Sequence, residues 1–178
     1  MGYLFSALVS ILKYVADVKS LPELIFWTMG SLSGITWETL AIIFAVLCVC
    51  IIIYLFMSWN LNVMTFGKEE ALALGVDYKK NQMAVFIMTT ILTAVTVSFT
   101  GVIGFIGLVA PHVSRMLVGN DYRYGIPVSC LMGSGLLLMS DTVARIIIAP
   151  TELPVGIVTS LIGVPFYIYL VLRRSKHI

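Results

Sequence analysis

The sequence predicts an all-α, polytopic integral membrane protein, and two observations carry that reading. Of the 178 residues, 60% are hydrophobic and only 11% are charged, with a mean hydropathy of +1.03. A soluble domain has about 45–50% apolar and about 25% charged residues, and a soluble surface built from this composition would carry large apolar patches. The few charges are also clustered, leaving residues 1–12, 39–67, 82–114, 124–140 and 153–172 without any. A spanning helix needs about 20 mostly apolar residues and satisfies its own backbone where water is absent. Disordered, collagen-like and disulfide-stapled chains are excluded by the same arithmetic.

Six elements follow in order: about five full spans and a partial N-terminal one. The first, 3–16, is short for a complete crossing. The second, 39–58, has a dense apolar core from Ala41 to Met57. The stretch 82–114 is too long for one helix and short for two. Gly101, Gly104, Gly107 and Pro111 interrupt it, so it divides into 82–100 and 105–118 around a tight bend. The fifth element, 125–148, crosses if Asp141 and Arg145 are accommodated, and the last is 154–172. No cleavable signal peptide is expected, because Lys13 follows the first apolar run instead of preceding it.

Lys and Arg in short loops set orientation. With the C-terminus in the cytoplasm, Lys68, Lys79, Lys80, Arg115, Arg123, Arg173, Arg174 and Lys176 lie inside, eight of eleven basic residues. Lys13, Lys19 and Arg145 lie outside. The net charge of +2 is too small to suggest nucleic-acid binding. Cys48, Cys50 and Cys130 sit in apolar runs and are expected to be small core residues.

The chemistry-bearing residues are few. There is no phosphate-binding loop and no dinucleotide fingerprint, so ATP hydrolysis is not expected here. His112 has no second ligand at metal spacing, His177 lies in the basic tail, and no cofactor or metal is expected in this chain. Asp141 and Arg145, four apart, share a helix face within ion-pairing reach. Ionisable groups within a span are often functional, and a structural pair is the alternative. The segment Gly67–Gly75 reads as a short amphipathic helix, capped by Thr65 and started by Glu69 and Glu70, suited to a partner's groove. A solvated loop is the alternative there.

Taken together, these motifs resemble the FecCD family, the permease subunits of ABC importers for iron–siderophore complexes, haem and vitamin B12. The matching runs are GSLSGITW from Gly30, LNVMTFGKEE from Leu61 with Ala73–Gly75, GFIGLVAPHVSR from Gly104, DTVAR from Asp141, ELPVGIVT from Glu152 and GVPF from Gly163. They stand in the family's order along nearly the whole chain, which is similar to the C-terminal half of a longer permease.

The resemblance implies a prokaryotic cytoplasmic membrane and alternating access driven by separate ATP-binding cassette subunits. Its other expected partners are an extracytoplasmic substrate-binding protein, the lipid bilayer, and a second permease copy or an N-terminal half; no nucleic acid is expected. The segment 67–80 is similar to the helices that seat in the ATPase, giving Lys68, Glu69, Glu70, Ala71, Leu72, Leu74 and Gly75 as coupling residues. Arg145 matches an outer arginine that meets an acidic residue of the binding protein, with Glu152 beside it. The elements 3–16 and 154–172 are expected to line part of the path. Gly104, Gly107, Pro111, His112, Arg115, Pro154, Gly163 and Pro165 are expected to be structural. A truncated or split-gene fragment with no transport of its own is the competing reading. A channel is weaker, since nothing resembles a filter or a charged ring.

Overall fold

The computed structural model describes residues 2–17, 19–148 and 152–175, all of its regular structure helical. Lys176 and His177 lie outside the described residues. The helices are α1 (Gly2–Val15), α2 (Leu21–Met29), α3 (Trp37–Met64), α4 (Lys68–Ala73), α5 (Tyr78–Thr100), α6 (Ile106–Val118), α7 (Tyr122–Ile147) and α8 (Val155–Ser175). Three of them, α3, α5 and α7, are long and apolar enough to cross a membrane; α1, α6 and the stretch Val155–Tyr169 of α8 are apolar but shorter.

The start signals are local. Thr36 caps α3 by accepting from the Thr39 N–H, Asp77 caps α5 by accepting from Lys80, and Asp121 caps α7 by accepting from Arg123. Each supplies an acceptor for an amide that has no partner inside its helix. Between α5 and α6 the chain turns through residues 101–105. Gly101 takes φ +69°, and a Cβ there would collide with the Trp27 carbonyl. Phe105 is the only non-glycine residue with positive φ among the described residues, at +65°.

α7 is the hub, packing on α3, α6 and α8, while α3 also packs on α5. α6 and α7 approach closely where Gly133 faces Ala110 and Ile106. Ser114, fully buried, donates from Oγ to the Gly125 carbonyl across that pair at 3.0 Å. Many large apolar side chains remain exposed on α1, α3, α5 and α7, which suits a lipid or protein surround.

Three expectations change. The short helix α2, not anticipated from the sequence, opens on Ser20 with Pro22 in its first turn. Cys50 is buried and Cys48 half-buried, but Cys130 is exposed on α7, so only part of the core assignment for the cysteines holds. Thr65 does not cap α4, whose N-cap is Gly67; the Thr65 hydroxyl donates back to the Asn62 carbonyl at the end of α3.

Candidate functional site

At one end of the bundle α3 stops at Met64 and α4 folds back against it. Ala71 is 0% exposed and forms a small core with Val63 and Val76, flanked by Met64 and Tyr78. The Val76 N–H donates to the Ala71 carbonyl at 2.8 Å, closing the turn into α5. Gly75 makes that turn possible at φ +77°. Lys68, Glu69 and Glu70 are exposed, as are Leu72 at 55% and Leu74 at 63%, with Phe66 also bare. The seven expected coupling residues therefore divide. Leu72, Leu74 and the charges present a surface, whereas Ala71 faces inward and seats the helix.

The same end is braced by two asparagines. Asn60 Nδ2 donates to Asn81 Oδ1 on α5 at 3.0 Å. Asn62 Nδ2 donates to Asp121 Oδ1 at 2.7 Å, and Asn62 Oδ1 accepts from the Tyr122 N–H at 2.9 Å. The Arg123 N–H and the Asn62 amide together hold the Asp121 carboxyl below its ordinary range. Asp77 is lowered likewise by the Lys80 N–H and by the Lys80 ammonium, 3.2 Å away. Sequence reasoning missed Asn62. The available signal was the pair of amide side chains, Asn60 and Asn62, that follows the apolar run of α3, where a half-buried polar group seeks a partner.

At the opposite end, Arg145 Nε donates to Asp141 Oδ2 at 2.8 Å and Arg145 NH1 stands 3.5 Å from Glu152 Oε1. The Arg145 side chain is 49% exposed and that of Asp141 18%. The expected i,i+4 pair is present, and Glu152 joins it from the segment before α8. The Leu153 N–H donates to the Ala144 carbonyl and brings that segment onto α7. One cation thus stands between two carboxylates, with half its surface free.

The remaining expected structural residues fall into two groups. Pro154 is buried, and its carbonyl accepts from the Ile157 N–H in the first turn of α8. Gly163 is buried against Phe105, whose ring and Cβ occupy the space a side chain would need. His112 meets Phe166 edge-on, ring centroids 6.2 Å apart, linking α6 to α8. Pro111 lies inside α6, and the Arg115 carbonyl accepts from Gly119 to end it. Gly104 and Gly107, by contrast, have open space around them, and Pro165 sits exposed inside α8. In the turn between α5 and α6 the positive-φ residues are thus Gly101 and Phe105. Near Gly163, a cavity of about 20 Å³, the size of one water, lies between α6, α7 and α8.

The description of the FecCD transport family matches residues 1–173. The chain is 40% identical over 173 residues to the hemin transport system permease protein HmuU of Yersinia pestis, covering 97% of this chain and 52% of that one. It is 40% identical over 174 residues to the molybdate import system permease protein MolB of Haemophilus influenzae, covering 97% and 51%. A solved inward-facing structure of a metal-chelate type ABC transporter superposes with a TM-score of 0.89 at 40% identity, over 96% of this chain and 55% of that chain. The chain spans about half the length of the curated relatives it matches.

Proposed function

Because this chain belongs to the FecCD transport family, we propose that it forms part of the membrane path of an ATP-driven importer. Its cargo class is an iron–siderophore, haem or cobalamin-like chelate, and the path opens alternately to the two sides of the membrane. The molybdate permease among the relatives extends that class to a compact oxyanion. The observation that carries the reading is α4. A helix of six residues is too short to stand alone in water, yet here Ala71 anchors it and leaves Leu72 and Leu74 bare at the bundle end. An apolar surface on an anchored short helix suits the groove of an ATPase subunit.

The opposite end supports docking of an extracytoplasmic binding protein through the half-exposed Arg145. Rim charges of this kind steer association and set register. The ATPase face holds the C-terminus in this reading, following the excess of Lys and Arg. ATP hydrolysis belongs to the partner subunits, and the comparisons favour a permease role over a purely structural fragment. Purification of the assembled transporter through a tag on this chain tests the proposal. An ATP-binding cassette subunit should co-purify, with hydrolysis stimulated by the cognate binding protein. Absence of any ATPase from intact assemblies contradicts it.

A further inference from the structure

We infer that Asn62 is a positioning residue that hands movement of the α4 seat to α7 through its paired hydrogen bonds to Asp121 and Tyr122. The inference rests on the permease reading above. Asn62 stands one residue before Val63, which forms the floor under Ala71. Displacement of α4 therefore bears on the last turn of α3. There the Asn62 amide grips the start of α7 with both its donor and its acceptor, at 2.7 and 2.9 Å. Its carbonyl is used as well, accepting from Thr65, so the amide nitrogen, the amide oxygen and the backbone carbonyl of Asn62 are all engaged. α7 then carries the chain about 29–35 Å, at the usual rise, from Tyr122 to Asp141 and Arg145 of the cluster with Glu152. A continuous helix gripped at one end by hydrogen bonds is a physical carrier for coupling between distant sites, and Pro127, inside the second turn of α7, bends its path without ending the helix. The start of α7 is also held from α6, where Ser114 Oγ donates to the Gly125 carbonyl, but among the described residues α6 contributes none to the α4 core that Val63 supports. No other side-chain hydrogen bond among the described residues joins α3 to the start of α7.

The test exchanges the two polar partners. Asn62→Asp removes the donor and sets a carboxylate against Asp121. Asp121→Asn keeps both the cap and the contact, since asparagine caps as well as aspartate. Asn62→Asp with Asp121→Asn reverses the bond: the amide at 121 donates to the carboxylate at 62, which still accepts from Tyr122. Each variant is made in the assembled transporter, with Ile147→Cys at the far end of α7 as reporter and Cys130 removed. The readout is the rate of labelling by a membrane-impermeant maleimide, with and without ATP plus vanadate.

The expected result is an ATP-dependent change in the parent and in Asp121→Asn, its loss in Asn62→Asp, and its return in the exchanged pair. A full response in Asn62→Asp overturns the inference. So does an exchanged pair that recovers yield but not the response. If the parent itself gives no response and carries no ATPase, the permease reading fails instead, and the two failures are distinguished.

Discussion

Leu72→Glu tests the α4 surface directly. Leu72 is 55% exposed, so a carboxylate there remains solvated and the fold changes by no more than about 0.5 kcal/mol. Docking is different. Fully burying a leucine side chain is worth about 1.5–3 kcal/mol, so covering the exposed part contributes roughly 1–1.5 kcal/mol. Forcing a polar group without a partner into the same contact costs about 1–3 kcal/mol more. The sum, about 2–4.5 kcal/mol, corresponds to a loss of roughly 30- to 1,600-fold in ATPase affinity. Titrating the ATPase subunit against solubilised permease assemblies measures this, with the thermal midpoint recorded on the same sample. Ala71→Arg is a poorer probe of docking, because Ala71 is 0% exposed and a guanidinium would disrupt the Val63–Val76 core itself. An unchanged ATPase affinity for Leu72→Glu at an unchanged midpoint would refute the docking surface.

Four further outcomes are expected. Gly163→Val drives a side chain into Phe105 and destabilises by about 1–3 kcal/mol or more; thermal unfolding shows the drop, and adding Phe105→Ala recovers part of it. Arg145→Gln keeps a donor for Asp141, so permease abundance holds while binding-protein affinity falls and becomes less sensitive to salt; loss of abundance with unchanged affinity assigns Arg145 a structural role. Cysteines at Lys79 and Lys19 are labelled from opposite sides of the membrane, Lys79 from the ATPase side; labelling of both from one side reverses the topology. The carboxyls of Asp77 and Asp121 are depressed in the folded state, so their caps contribute fully above the ordinary carboxylate pKa and are lost as pH falls below it through the lowered folded values. Hydrogen exchange at the starts of α5 and α7 should therefore be flat from about pH 8 to 5, after correction for intrinsic rates, and rise only below about pH 4.

The long apolar helices were legible because uncharged runs are a one-dimensional signal. Residues 39–67 and 82–100 hold no charge, and α3 and α5 extend past the expected 39–58 and 82–100 into their polar ends. α2 was not legible. Nine residues containing Pro22 and Glu23 carry no clear period, and the helix is held by tertiary contacts such as the Trp27 indole donating to the Ser98 carbonyl. Within α4, the sequence marked the segment but not its inward residue. Ala71 and Leu72 differ by one position, and only the location of Val63 beneath them decides which is covered. The Asp141–Arg145 pair was readable from spacing. Glu152 became its third member through the fold, because the Leu153–Ala144 hydrogen bond brings a separate segment alongside. Asn62 and Asp121 stand 59 residues apart, a separation no local pattern reports.

The central claim is that ATP acting at the α4 end drives cargo across the membrane. The most direct measurement is uptake by vesicles containing the assembled transporter and its binding protein. Haemin, a ferric hydroxamate, cyanocobalamin and molybdate are offered in turn, with ATP confined to one side. The account predicts accumulation of one of them only when ATP is on the side that carries Lys79. Accumulation without ATP, or driven by ATP from the side that carries Arg145, would contradict it.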